Sequence, residues 1–465
     1  MANYDLAIIG SGPGGYVAAI RAGELGLKTV VVEKDPFLGG TCLHVGCIPT
    51  KVLLYHAEVY DHLKHASELG FELSGVKVNW ASVLARKNKI VTRHAKGIEF
   101  LFKKNQVEWV QGWGKYDGPG RVAVEHDGKH SLLETRHVLL VSGSEAKALP
   151  GIEPDHKQIL TNRSLLSLPE IPKTLVVVGA GAVGVEFASI FNSFGTEVTL
   201  LEALPRVVPL EDEEISSELD KAFRKKGIRI FTGCKVGEVT KNASGVTVSF
   251  EDQQGKAQTL QAEKLLLAVG RQPMTAQCGL EKSKAKVERG FVHVDQYMQT
   301  TEPGLYAAGD IVAGLPQLAH AAMMEGIVAV THMAGKPTQP IVKTRIPNAT
   351  YSEPQIGSIG LTEKQALEAG YTVKTGKFPF VGNSKATILG QHGGFIKVVS
   401  DEKFGEVLGI HIIGPLATEI LAEATTVLQL EGTVDDMMNM IHAHPTVWEA
   451  MGDAFAAVRG LQINV

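Results

Sequence analysis

YDLAIIGSGPGGYVAAIRAGELGLKTVVVE, residues 4–33, reads as a strand, a glycine turn, a helix and a second strand. The apolar run 4–9 is followed at once by Gly10, Gly12, Gly14 and Gly15, and a helical pattern then leads to the apolar run 28–32. Such a unit takes a dinucleotide, because the glycines let backbone approach a pyrophosphate and the helix start offers N–H groups to it. Glu33 stands 23 residues after Gly10, where a carboxylate accepts both ribose hydroxyls. The pattern returns at Thr174: an apolar run, the turn GAGAVG at 179–184, a helix to Phe194, and a strand 197–201 ending in Glu202, again 23 residues beyond its first glycine. One glycine turn is weak evidence, since such turns also serve packing. Two at equal spacing predict two dinucleotide sites, with electrons passing between two cofactors. A carboxylate at Glu202 repels a 2′-phosphate, so NAD is expected over NADP, with Arg206 read as a solvated loop residue.

Between the two units lies GGTCLHVGCIPTK, residues 39–51, in which four residues separate Cys42 from Cys47. A disulfide needs Cα atoms about 4.4–6.8 Å apart, whereas a helix rises about 7.5 Å over five residues, so the backbone must tighten, as Gly46 permits. Pro49 as a first helical residue places Cys47 at a helix N-terminus, which favours a thiolate. The stretch therefore reads as a reversible dithiol with two unequal sulfurs. By themselves the two cysteines also suit buried thiols or part of a metal set. No neighbouring His or Cys completes a zinc site, because the other cysteines are the remote Cys234 and Cys278, and no metal is expected.

With 465 residues, 44% hydrophobic and 21% charged, the chain has material for about three domains. A net charge of −4 gives no field for nucleic acid or an anionic membrane, and no apolar run reaches spanning length. Four cysteines do not make a secreted disulfide scaffold, and the opening MANYDLAIIG carries no signal or transit pattern, so the cytoplasm is the expected compartment. Residues 49–69 and 79–104 read as long helices, and alternating runs over 107–141 suggest a small antiparallel sheet. Residues 150–172, with their prolines and mixed polarity, read as a connection between domains. The run 264–270 is a buried strand. GLYAAGD at 304–310 is a short strand ending in Asp310, an acceptor suited to a polyol hydroxyl or simply a turn residue. After Pro347, strands at 355–361, 394–399 and 407–413 mix with helices at 362–369 and 417–431, with no glycine fingerprint, which predicts an α+β assembly domain. Near the end His444 precedes Glu449 by five residues; a turn could make them a base oriented by a carboxylate, or they are a surface pair.

Taken in order, GSGPGGYVAAIRAGELG, GGTCLHVGCIPTK, GAGAVGVEFASIF, AVGRQP, YAAGD, LAHAAMMEG, HIIGP and HAHPTVWEA resemble the pyridine nucleotide-disulfide oxidoreductases over essentially the whole chain. The likeness is closest to the dihydrolipoamide-oxidising members. It implies an α/β fold of two Rossmann-like dinucleotide-binding domains, for FAD and NAD, plus a C-terminal α+β dimerisation domain. The implied limits are 1–148 for FAD, 149–272 for NAD, 273–342 for a central segment completing the FAD domain, and 343–465 for dimerisation. FAD is then expected on Gly10, Gly12, Gly14, Gly15, Glu33 and Lys34. Gly40, Thr41, Lys51, Gly114, Ser142, Gly143, Ser144, Gln317, Leu318, Ala319 and His320 should line it, with Asp310 on the ribityl chain. NAD is expected on Gly179, Gly181, Gly184, Glu186, Glu202, Val236 and Gly270. The resemblance further implies that Cys47 faces the flavin as the charge-transfer thiolate while Cys42 exchanges with the substrate disulfide. Lys51 is expected beside flavin N5 and paired with Glu186. His444, oriented by Glu449, is expected to serve Cys42 from the opposite subunit of a homodimer.

The expected reaction is oxidation of protein-bound dihydrolipoamide with reduction of NAD⁺. The expected partner is a lipoyl-bearing acyltransferase or carrier protein of a 2-oxo acid dehydrogenase or glycine cleavage system. A glutathione-type reductase usually has basic residues where Glu202 stands, and a mercuric-type reductase needs a C-terminal cysteine pair, whereas no Cys follows Cys278. A flavoprotein kept mainly as a scaffold would have no use for Cys42, Cys47, His444 and Glu449 together. Departures from the family pattern are His44 where Asn is common, Thr50 for Ser, LVSGS for ATGS, and a loop after Asp310 one residue longer than usual.

Overall fold

The computed structural model describes residues 3–464, and its contacts divide the chain into two compact units. The first comprises the chain up to Val52, Ala81–Lys147 and Gly270–Ile341; the second comprises Leu53–Trp80, Ala148–Val269 and the chain from Val342 onward. Among the described residues no helix is long and apolar enough to cross a membrane.

In the first unit the opening strand Tyr4–Ile9 lies between Thr29–Glu33 and the last part of Lys129–Leu140, parallel to both. Glu108–Gln111 and Leu305–Ala307 extend the parallel sheet at its two sides. Because side chains alternate along a strand, Leu6, Ile8, Val31 and Leu139 enter one core beneath the helices Pro13–Glu24 and Ala319–Met333. Ala7, Ile9, Val30, Val32 and Leu140 enter a second core with Val122 and Val124. Both faces are thus buried, which explains why these strands read as continuous apolar runs. A slip of one residue would exchange the two faces, so the register is strongly specified. The two helices meet where Gly14 and Gly326 touch: a Cβ on Gly326 would stand 2.5 Å from the Gly14 carbonyl oxygen. That contact binds LAHAAMMEG to the opening glycine turn.

The stretch 107–141 was expected to be wholly antiparallel, and only part of it is. Trp113–Tyr116, Arg121–His126 and the first part of Lys129–Leu140 pair antiparallel, but Glu108–Gln111 runs parallel beside Thr29–Glu33. Short alternating runs carry no mark of strand direction, and tertiary context decides it.

In the second unit Arg229–Phe231, Glu197–Leu201, Thr174–Val178, Lys264–Leu267 and Ile159–Leu160 form a parallel five-stranded sheet in that order. The expected connection at 150–172 therefore supplies an edge strand, too short at two residues to show periodicity. The strands Lys235–Asn242, Gly245–Glu251 and Ala257–Ala262 form an antiparallel layer sharing its core. The C-terminal part is an antiparallel sheet ordered Asn348–Thr350, Gln355–Gly360, Val407–Gly414, Phe395–Asp401 and Val373–Pro379, the first and last of these absent from the sequence expectation. Ile410, Ile412, Ile396 and Val398 on one face meet the helices Ala417–Gln429 and Glu449–Val458. From the opposite face Lys397, 3% exposed, reaches Asp212, Glu214 and Glu363 at 3.1, 2.9 and 2.7 Å. The fold is α/β, with two Rossmann-like parts and a C-terminal α+β part.

Candidate active site

The two glycine turns have the same construction. Gly10 has φ +105°, and a Cβ there would stand 2.3 Å from the Val141 carbonyl oxygen; one on Gly15 would stand 2.0 Å from that of Gly10. In the second turn a Cβ on Gly179 would meet the Ala268 oxygen at 2.4 Å, and one on Gly184 the Gly179 oxygen at 1.9 Å. Gly12 and Gly181, each capping its helix, differ: nothing lies within 4 Å of a Cβ on either. Gly10, Gly15, Gly179 and Gly184, and Gly14 with its Cβ position 2.9 Å from the Ala322 carbonyl oxygen, are thus needed by the protein's own backbone. Gly12 and Gly181 leave open a cradle at a helix N-terminus, where free N–H groups suit a pyrophosphate.

The acids behind the turns are held alike. Glu33 accepts from the Ser11 N–H at 2.9 Å, the Ser11 hydroxyl at 2.7 Å and the Asp35 N–H at 2.9 Å. Glu202 accepts from the N–H groups of Ala180 at 2.6 Å and Leu204 at 2.8 Å. A carboxylate has about four acceptor sites, so each keeps capacity for ribose hydroxyls. Lys34 is turned to Asp35, 2.9 Å away. Arg206 pairs with Glu213 at 2.6 Å rather than with Glu202, in keeping with its reading as a loop residue. Both turns fit a dinucleotide, and FAD and NAD are the cofactors of this fold.

Beside the first turn, Gly40 packs on Gly12, and Gly114 fits against Val32 and Ile9, where a Cβ would stand at 3.0 and 3.2 Å. Ser142, Gly143 and Ser144 follow the long strand, and Ser144–Ala146 pairs antiparallel with Arg271–Pro273. The Ser144 hydroxyl donates to Asp310 and accepts from Arg271 Nε at 2.6 Å, while the guanidinium lies 3.7 Å from the Asp310 carboxylate. Gln317 donates to the Asp310 carbonyl at 3.0 Å, Leu318 caps the helix Ala319–Met333, and His320 in its first turn is exposed. Glu325, fully buried on that helix, accepts from the Gly309 N–H at 2.5 Å; burial pushes its pKa up to about 7 against that hydrogen bond. The sequence reading gave no role to Arg271 or Glu325, whose partners are remote along the chain.

Thr41 and Cys42 lie on the short helix Gly40–Val45, and the helix Cys47–Lys64 begins at Cys47 itself, two residues before Pro49. Gly46 joins them: a Cβ there would stand 2.9 Å from the Thr41 oxygen and 3.2 Å from Cys42 Cα, so this return of the chain needs glycine. Both cysteines are half-buried thiols. The Cys42 thiol is pushed far above its ordinary range by its hydrogen bond to the Cys47 sulfur, then by burial and by the Cys47 charge. The Cys47 N–H and the Lys51 ammonium pull the other way. The two sulfurs are thus in direct contact, and ionisation of one opposes ionisation of the other. Burial first, then the charges of Cys42 and Cys47, raise the Tyr16 hydroxyl as well, which brings a third group the sequence reading missed to the pair. Thr50 donates to the Gly46 carbonyl at 2.7 Å. His44 directs Nε2 to the Leu38 carbonyl at 2.9 Å and rests near Phe37, ring centroids 5.8 Å apart.

In the second unit Glu186 is buried on the helix Ala182–Ser193 and accepts from the Tyr351 N–H at 3.0 Å. Val236 lies on the strand Lys235–Asn242, whereas Gly270, with φ +104°, opens the last segment of the first unit. A turn does fold His444 onto Glu449: Nδ1 and Oε1 are 2.9 Å apart, and the Thr446 N–H donates to the other oxygen at 2.8 Å. Burial opposes the Glu449 charge, but the Thr446 N–H, His444 and His442 outweigh it and hold the carboxyl below its usual range. The His444 side chain is 71% exposed, so its free Nε2 edge faces outward from the unit. Among the described residues no group of His, Cys, Asp and Glu could hold a metal ion.

Comparison with known proteins agrees with this geometry. The family model for pyridine nucleotide-disulphide oxidoreductases matches residues 4–326, and that for the family's dimerisation domain matches 346–455. A dihydrolipoyl dehydrogenase of Bacillus subtilis is 42% identical over 472 residues, covering 99% of each chain, and one of Rhizobium etli is 42% identical over 479 residues, again 99% of each. A leghemoglobin reductase of Vigna unguiculata is 39% identical, covering 97% of this chain and 87% of that protein. The crystal structure of LpdA from Mycobacterium tuberculosis superposes with a TM-score of 0.89 at 28% identity, covering 97% of this chain and 99% of that one. The chain belongs to the pyridine nucleotide-disulphide oxidoreductase family.

Proposed function

We propose that this protein is a dihydrolipoyl dehydrogenase, oxidising dihydrolipoamide to lipoamide and reducing NAD⁺. The observation that carries the reading is the Cys42–Cys47 pair, brought together by the return of the chain at Gly46 with its two sulfurs in hydrogen-bond contact, and with Lys51 and Tyr16 beside it. In the oxidised protein the two sulfurs are joined. A thiolate of dihydrolipoamide attacks Cys42 Sγ, releasing Cys47 as the thiolate, and the second substrate thiol then displaces Cys42 to close the lipoamide ring. His444 takes the proton of the attacking thiol and releases it to solvent, then takes that of the second thiol and gives it to Cys42 as that sulfur leaves, while Glu449 fixes its tautomer by accepting from Nδ1. Lys51, one helical turn beyond Cys47, stabilises negative charge at that sulfur and would do the same for a bound flavin as it takes up electrons. Bound FAD supplies the two-electron chemistry that connects thiol oxidation to hydride acceptance by NAD⁺. Gly10, Gly12, Glu33, Ser144 and Asp310 would hold it, and Gly179, Gly181 and Glu202 would hold NAD.

The four segments 1–148, 149–272, 273–342 and 343–465 are the functional divisions of this reading. The last pairs two copies, so that the exposed His444 of one protomer serves the thiols of the other. The partner is a lipoyl-bearing acyltransferase or carrier protein of a 2-oxo acid dehydrogenase or glycine cleavage system, met in the cytoplasm. The test is a substrate panel on the FAD-loaded protein: dihydrolipoamide with NAD⁺ or NADP⁺, against oxidised glutathione and Hg²⁺ with either reduced nucleotide. Turnover is expected only with dihydrolipoamide and NAD⁺, and Cys42→Ser should abolish it while sparing NADH oxidation by ferricyanide. Preference for glutathione or Hg²⁺, or full lipoamide turnover by Cys42→Ser, would refute the reading.

A further inference from the structure

Behind His444 and Glu449 lies a second imidazole–carboxylate pair. Glu423, on the helix Ala417–Gln429, stands 3.0 Å through Oε1 from His442 Nε2, and the two side chains are only 13% and 10% exposed. The groups that face the His442 ring are all acceptors or negative: Glu423 from one helix, Glu449 from the next, and the Met440 carbonyl of its own loop. Gly452 packs against the ring, its absent Cβ only 3.4 Å from Nδ1, so the helix Glu449–Val458 comes close there without adding a charge. Of the other charged groups nearby, Asp453 meets the Ile463 N–H and Asn464, Asp435 pairs with Arg459, and Glu419 lies one turn before Glu423 on the same helix. A neutral imidazole carries one N–H, whereas acceptors surround this ring; the imidazolium is the form that satisfies them. His442 in turn helps lower the Glu449 carboxyl, and the hydrogen bond to Glu423, ahead of opposing burial, raises His442 itself.

We propose that His442 is a positioning residue: held as a cation by Glu423, it takes up part of the Glu449 charge and thereby sets the basicity of His444. This rests on the reading of His444 as the base for dihydrolipoamide. A carboxylate facing one imidazole alone makes it a stronger base; the same carboxylate shared with a cation does so less. The charge at 442 thereby loosens the hold of Glu449 on the His444 proton, while Glu449 still fixes its tautomer.

The test is the pH dependence of kcat/KM for dihydrolipoamide, with saturating NAD⁺, on full-length FAD-loaded wild type, Glu423→Gln, His442→Gln and the double variant. Both single variants remove the charge at 442, so the acid limb is expected to move to higher pH by about half a unit or more. The double variant should move no further than His442→Gln, because Glu423 acts through His442. FAD absorbance and NADH oxidation by ferricyanide, which bypasses thiol exchange, should match wild type and show that the variants fold. A uniform loss at every pH with an unmoved limb, or a limb moved to lower pH, overturns the proposal. Should one single variant fail to retain FAD, the other decides by the same limb. A wild type without lipoamide turnover would instead refute the functional reading, a distinct result because no limb then exists to move.

Discussion

The glycines of the second turn allow a sharp contrast between two one-methyl changes three residues apart. In Gly184→Ala the new Cβ would stand 1.9 Å from the Gly179 carbonyl oxygen, a backbone atom that no rotamer change can withdraw. Reaching an ordinary carbon–oxygen separation of about 3.3 Å requires the helix and strand to part by roughly 1.4 Å. Overpacking of this kind costs about 1–3 kcal/mol where side chains yield; with backbone on both sides about 3 kcal/mol or more is expected. For a part of this size that corresponds to a melting temperature lower by about 6–12 °C. In Gly181→Ala the methyl meets nothing within 4 Å, and its φ of −73° suits alanine. Loss of the helix cap then costs about 1 kcal/mol or less, but the methyl stands in the cradle, and NADH binding should weaken at least about tenfold. Differential scanning calorimetry of the FAD-loaded protein and equilibrium NADH binding by fluorescence separate the two effects. Unchanged melting in Gly184→Ala, or unchanged NADH affinity in a folded Gly181→Ala, would refute the reasoning.

Four other outcomes rest on charged and titratable side chains. The Glu325 carboxyl, pushed up to about 7 by burial, lies above its ordinary 4.5, so its contribution to stability is whole below about pH 4.5 and is lost as pH rises through about 7. Up to roughly 3 kcal/mol should go over that window, and Glu325→Gln should flatten this part of a urea-melt series run from pH 4.5 to 8. Lys397→Met leaves Asp212, Glu214 and Glu363 without their shared cation and should cost about 3–5 kcal/mol in urea. Lys377→Met, which breaks only a half-exposed pair with Glu214, should cost less than about 1 kcal/mol by the same assay. Removing the base with His444→Gln should lower kcat/KM for dihydrolipoamide about 10²–10⁴-fold while leaving ferricyanide reduction by NADH intact; a loss shared equally by both assays would contradict the assigned role.

The sequence carried what backbone geometry makes local. Gly10 and Gly15, like Gly179 and Gly184, are glycine because neighbouring carbonyls leave no room, so the turns announce themselves by spacing alone. Gly46 was legible for the same reason, whereas the helix expected from Pro49 begins two residues earlier, at Cys47. What depends on distant partners was not. The two-residue strand Ile159–Leu160 exists only because Lys264–Leu267 pairs with it, and the Arg271–Ser144–Asp310 cluster joins three remote segments. Glu423 is an ordinary helical Glu in sequence, and becomes notable only where the chain returns to place His442 against it. His44 stood out in the sequence only as a departure from the family pattern, and the Leu38 carbonyl that its Nε2 meets is a partner the motif does not name.

The account stands or falls on the sulfur pair, and differential alkylation reads it directly. The oxidised protein and the same protein reduced anaerobically by dihydrolipoamide are each denatured, alkylated with iodoacetamide and digested with trypsin, and the peptide containing residues 35–51, which carries both Cys42 and Cys47, is weighed. No alkyl group before reduction and two after it is the expected result, with Cys234 and Cys278 labelled alike in both samples. Equal labelling of the peptide in the two states would show that Cys42 and Cys47 do not take up the substrate's electrons, and would contradict the account.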